Sequence, residues 1–163
     1  MSMSDLIEIS LSVNGETLSR LVPSRLNLVD FLREDLKLTG SHVGCEHGVC
    51  GACTVRVNEE IVRGCLMLAT QADGAEVITI EGLSDSGEVK DLQDQFHKRN
   101  SLQCGFCTPG MLMAAADLLK TNPTASRQEI REFLSGNYCR CTGYQAIVDA
   151  VEAVGQLRNG GSA

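Results

Sequence analysis

The chain of 163 residues has no tryptophan, and aromatic residues make up only 4% of it. Its core must therefore be assembled mostly from Leu, Val, Ile, Met and Ala. Positive charge is also scarce: 14 Lys and Arg stand against 21 Asp and Glu, a net charge of −7. No run of Lys or Arg interrupts that acidity, which argues against nucleic acid or an anionic membrane as a partner. No apolar run approaches the ~18 residues needed to span a bilayer. The opening Met1–Asp5 stretch has neither the basic nor the apolar region of a secretory signal. A cytoplasmic protein is expected. Equally missing are a Ser/His/Asp set, paired carboxylates, a phosphate-binding glycine fingerprint and an HExxH helix. We therefore expect no bond chemistry from this chain alone.

What the chain does have is eight cysteines, and they fall into two groups. Cys45, Cys50 and Cys53 lie in the loop Gly44–Thr54, with glycines at 44, 48 and 51, and Cys65 follows 11 residues later. The spacing C-x4-C-x2-C…C is the plant-type pattern for a [2Fe–2S] cluster. The second group is Cys104-Gly-Phe-Cys107 with Cys139-Arg-Cys141. Each group has four thiols with none left over, so each could hold one cluster. Disulfides are disfavoured in a reducing compartment. Structural zinc is the serious competitor, because C-x2-C knuckles suit tetrahedral zinc, although C-x4-C-x2-C and C-x-C are not its usual spacings. Glycines in such a loop serve turns and also let backbone N–H groups approach sulfur. His47 reads as a solvated loop histidine rather than a Rieske ligand, since a Rieske centre needs two His. His42 and His97 read as surface residues, and Met111 and Met113 as core filler.

Around these loops the periodicity changes once. Ile7–Val13 alternates apolar and polar residues, Asn14-Gly15 signals a hairpin, and Thr17–Val22 returns. Asn27 can cap a short helix to about Leu36. Strands are expected at 54–57, 61–62 and 75–80, giving an α+β first domain over 4–83 with one helix on a mixed sheet. The stretch from Leu83 to Glu88 has linker composition. Beyond it helices are expected near 89–100, from Thr108-Pro109 to about 121, after the Ser126–Glu129 capping box, and from a Thr142 cap onward. Ile130, Phe133 and Leu134 form the buried face of the third, with Gly136 at its C′ position. Four helices with short connections make a four-helix bundle over 84–157, with 158–163 a frayed tail. Two helix N-termini, after Cys107 and after Cys141, could face one negatively charged centre. Arg140 could offset part of that charge.

GCEHGVCGACT at 44–54, Cys65, QCGFCTPG at 103–110 and GNYCRCTGY at 136–144 together resemble the small iron–sulfur subunit of the xanthine oxidase family of molybdenum hydroxylases. The resemblance covers about residues 6–157, with no departure at a ligand position. It implies a ferredoxin-like β-grasp domain holding one [2Fe–2S] cluster on Cys45, Cys50, Cys53 and Cys65. It implies a helical domain holding a second on Cys104, Cys107, Cys139 and Cys141. It further implies that the second cluster lies beside molybdopterin on a large partner subunit, with Gln103 and Cys139 close to the pterin. The first cluster would face FAD on a medium subunit, within a dimer of heterotrimers. The expected function is an electron relay between the molybdopterin centre and FAD or an external acceptor. An aromatic N-heterocycle is a candidate substrate, with purines, CO and aryl-CoA also open. A free-standing two-cluster ferredoxin and a zinc-binding adaptor are the alternatives.

Overall fold

The computed structural model describes residues 5–160. β1 (Leu6–Val13) and β2 (Glu16–Pro23) form the expected hairpin, in which Val13 faces Glu16 across the turn. Asn14 and Gly15 take φ of 51° and 87°, the left-handed pair that a two-residue hairpin requires. Alternation along β1 sends Ile9, Leu11 and Val13 into the core. Asn27 caps α1 (Leu28–Asp30) by accepting from the Asp30 N–H at 2.8 Å, and the helix runs on as a π turn over Phe31–Asp35. β3 (Thr54–Val57) and β4 (Glu60–Arg63) form a second hairpin. β5 (Glu76–Ile78) lies parallel to β1 and antiparallel to β3, giving the order β2-β1-β5-β3-β4. Leu28, Phe31 and Leu32 cover one core with Ile9, Leu11, Val55 and Val77.

Five helices follow: α2 (Ile80–Asp85), α3 (Lys90–Lys98), α4 (Thr108–Thr121), α5 (Arg127–Leu134) and α6 (Gln145–Arg158). They enclose a second core of Leu83, Leu92, Phe96, Met111, Met113, Ile130, Leu134, Val148 and Val151. Ile61 and Ile78 of the sheet also pack against that core. Between the halves, the Arg56 guanidinium of β3 makes a bidentate pair with Glu88 at 2.7 and 3.1 Å. The fold is α+β, a mixed sheet followed by helices.

Four local expectations change. The stretch beginning at Leu83 does not open as a linker: Ile80 and Leu83 are buried on α2, so apolar burial outweighs the polar composition. Phe133 is 36% exposed, so only Ile130 and Leu134 of its face are buried. Thr142 does not cap α6; the preceding residue is Tyr144, with φ of 68°, whose N–H reaches the Thr142 hydroxyl at 3.2 Å. Arg158 belongs to α6 and pairs with Asp91 at 2.8 Å, while the Asn159 carboxamide donates to the Pro123 carbonyl at 2.8 Å. Residues 161–163 of the expected tail, and Met1–Ser4, lie outside the described residues.

Candidate metal centres

The first four thiols are gathered by the β3–β4 hairpin and the loop leading into it. Thr54 and Arg63 are cross-strand partners, so Cys53 and Cys65 stand just beyond the same end of the hairpin. Cys53 is 2% exposed, and burial pushes its thiol up to about 11. The loop upstream reverses through Glu46, Gly48 and Gly51, all at positive φ. These reversals turn amides inward, and the Cys50 N–H points at Cys45 Sγ at 3.4 Å. The amides of Cys50, then His47 and Val49, hold the Cys45 thiol down to about 6. A Cβ on Gly44 would sit 3.2 Å from Cys50 Sγ, so a larger residue would crowd the sulfur.

The second four come from two segments. Cys104 and Cys107 lead into α4, and Cys139 and Cys141 lie between α5 and α6. Cys104 Sγ and Cys141 Sγ are 3.5 Å apart, and both residues are exposed. Burial pushes the Cys107 thiol up to about 12, with the neighbouring Cys139 thiol adding to the rise. Burial also raises Cys139, but the Thr142 hydroxyl, 3.1 Å from its sulfur, and the amides of Thr142 and Cys141 bring it below its ordinary value. The Tyr144 phenol accepts from the Cys139 N–H at 2.8 Å and donates to the Asn137 carbonyl at 3.2 Å, bracing this loop.

Both sets fit a dinuclear centre. Two sulfurs on one tetrahedral metal, at bonds of ~2.3 Å, stand about 3.7 Å apart. Cys104 and Cys141 already approach that separation. The raised thiols, Cys53 and Cys107, must lose protons as metal binds.

The two loops touch. The Tyr138 N–H donates to the Cys50 carbonyl at 2.8 Å. The His42 ring stacks on Phe106 with centroids 4.7 Å apart and an interplanar angle of 17°. Gln103 is exposed beside Cys104, and Leu102, Phe106 and Tyr138 form an exposed apolar rim around the second set. His47 is exposed with its ring hydrogen-bonded to the Cys45 carbonyl, and Arg140 is exposed between Cys139 and Cys141. Cysteine spacing did not single out Asn137, Arg63, Tyr144 or His42. A polar Asn two residues before a cysteine was the only available sign of the first; the others depend on contacts across the fold.

A 2Fe-2S iron–sulfur cluster binding domain model matches residues 11–81, and a [2Fe-2S] binding domain model matches residues 79–152. The nicotine 6-hydroxylase small subunit of Paenarthrobacter nicotinovorans is 53% identical over 159 residues, covering 97% of this chain and 96% of that protein. The caffeine dehydrogenase subunit gamma of Pseudomonas sp. (strain CBB1) is 54% identical, covering 90% and 89%. A chain of the quinoline 2-oxidoreductase structure from Pseudomonas putida 86 superposes with a TM-score of 0.89 at 47% identity, over 97% of this chain and 99% of that one. The chain carries two [2Fe–2S] clusters and serves electron transfer in an oxidoreductase complex. It belongs to the small iron–sulfur subunits of the xanthine oxidase family of molybdenum hydroxylases.

Proposed function

We propose that Cys45, Cys50, Cys53 and Cys65 hold one cluster and Cys104, Cys107, Cys139 and Cys141 the other, in a hydroxylase acting on an aromatic N-heterocycle. The observation that carries this reading is the sorting of eight thiols into two sets of four, one at the end of the β3–β4 hairpin and one between α4, α5 and α6, where Cys104 Sγ and Cys141 Sγ stand 3.5 Å apart. When bound, the clusters supply one-electron carriers between a molybdopterin centre on a large subunit and FAD on a medium subunit, or an external acceptor. The protein's own part is to hold the thiols, aim amides at sulfur and limit water around the first set. Gln103 and Cys139 are assigned to the pterin side; the exposed rim of Leu102, Phe106 and Tyr138 supports a large partner there. The names of the nicotine, caffeine and quinoline relatives support the substrate class.

The same reading divides the chain into a β-grasp domain, 4–83, and a helical domain, 84–157, in which α3–α6 form the four-helix bundle. A dimer of heterotrimers in the cytoplasm completes it, where free thiols stay reduced before loading. Purification of the native complex tests the reading. We expect iron and acid-labile sulfide for two clusters per chain, molybdenum and FAD, and turnover with N-heterocycles. Elution as a free small protein would point instead to an independent ferredoxin, and zinc without labile sulfide to an adaptor.

A further inference from the structure

We infer that Asn137 is a positioning residue that fixes the spacing between the two cluster-binding loops. The inference rests on the two-cluster reading above. Asn137 is 2% exposed, and its carboxamide meets all three remaining ligand-bearing segments. Nδ2 donates to the Gly51 carbonyl at 3.1 Å and the Gly110 carbonyl at 3.0 Å, with Thr54 Oγ1 at 3.4 Å. Oδ1 accepts from the Arg63 guanidinium at 3.3 Å. The same guanidinium holds the Gly136 carbonyl at 2.7 Å and donates to the Thr54 hydroxyl. Gly51 lies between Cys50 and Cys53, Gly110 lies in the first turn of α4 after Cys107, and Asn137 precedes Cys139 by two residues.

The contact has no slack. A Cβ on Gly51 would stand 2.6 Å from Asn137 Nδ2, and one on Gly110 would stand 2.2 Å from the Gly51 carbonyl oxygen. Only a carboxamide offers donors toward carbonyls and an acceptor toward a guanidinium from one short side chain. Aspartate has the shape but would set an acceptor against two carbonyls. The backbone of Asn137 is itself fixed, its N–H to the Leu134 carbonyl at 2.9 Å and its carbonyl to the Tyr144 phenol. Asn137 thus ties the second loop to the first at a point independent of any ligand sulfur.

The test uses the intact complex carrying Asn137→Asp, Asn137→Ala or Arg63→Ala, the last at the half-buried rim of the network. Iron and labile sulfide are measured first, then the electron paramagnetic resonance splitting between the two reduced clusters, which falls with the cube of their separation. We expect full iron in Arg63→Ala with a smeared or diminished splitting, and loss of resolved splitting in both Asn137 variants. Unchanged splitting in iron-replete Asn137→Asp and Arg63→Ala would overturn the inference. Loss in Asn137→Ala with retention in Asn137→Asp would also overturn it, because packing rather than the amide donors would then set the spacing. Wild-type complex lacking iron and labile sulfide would instead defeat the two-cluster reading itself.

Discussion

The two cysteine sets are built by opposite means. The first is local: 21 residues from Cys45 to Cys65 form a glycine-bent loop and one hairpin, with a buried Cys53. The second joins segments whose nearest cysteines, Cys107 and Cys139, are 32 positions apart, and leaves Cys104 and Cys141 exposed. A local site needs only its turns, whereas the second exists only once α4, α5 and α6 have packed. Exposure follows the same division: the first set is shielded by its own loop, and the second is left open at Cys104 and Cys141. The seam of Arg63, Asn137 and Tyr138 makes two unlike sites into one unit.

The strongest way to break the comparison is to remove one thiol from each set. Cys104→Ser should cost half the iron and labile sulfide of the complex, and substrate should no longer reduce the first cluster, although dithionite still does. Cys53→Ser should cost the same iron while substrate still reduces the second cluster. Substrate reduction of the first cluster at the normal rate in Cys104→Ser would reverse the proposed order. Hydrogen exchange sharpens the contrast: Cys104→Ser should loosen 136–144 across the fold, while Cys53→Ser should disturb mainly 44–53.

Glycines provide the next comparison. Gly110 sits in the seam, where a Cβ would meet the Gly51 carbonyl oxygen at 2.2 Å. Gly105 lies in the exposed second loop at φ of 82°, with nothing within 4 Å of a Cβ. Gly110→Ala should cost about 3 kcal/mol or more through overpacking against backbone. Gly105→Ala should cost only the left-handed penalty of about 1–2 kcal/mol. Urea midpoints of the two variants would rank them, and equal losses would mean that the seam is slack.

A smaller effect is expected at the ion pair that joins the halves. Arg56 is buried while the Glu88 side chain is 40% exposed. The Arg56 hydrogen bonds, opposed by burial, hold the Glu88 carboxyl below its ordinary value of 4.5. Its contribution is therefore complete above that value and disappears as pH falls below it. Glu88→Gln should cost about 1–2 kcal/mol at neutral pH, discounted for exposure, and should flatten the acid limb of urea midpoints against pH.

Much of both sites could be read from spacing alone, since C-x4-C-x2-C and C-x2-C…C-x-C mark thiols that the fold draws into two sets. The β1–β2 hairpin was equally readable, because Asn14-Gly15 has few other uses. Less accessible was whatever depends on distant neighbours. Leu83 heads a polar, linker-like stretch, yet a core reached only after α4 and α6 are in place buries it on α2. Asn137 resembles any turn asparagine until Gly51 and Gly110 arrive against it. His42 gains meaning only from Phe106, which is 64 residues away.

The mildest prediction tests the dependence of the second set on its helices. Ser126 caps α5, its hydroxyl facing the Glu129 N–H at 3.3 Å while the Glu129 carboxylate accepts from the Ser126 N–H at 2.7 Å. α5 in turn delivers Gly136 and Asn137 to the seam through the Leu134 carbonyl. Ser126→Ala should cost about 1 kcal/mol, the ordinary worth of such a cap. That loss enters ten residues and more before Cys139, far from any ligand. If the second set depends on helix packing, slow cluster release to a chelator should quicken for the second cluster alone. The hairpin-built first set meets the end of α5 through the seam, so its release should be unchanged. Equal acceleration at both clusters would show instead that the seam transmits loosening as readily as it holds the loops together.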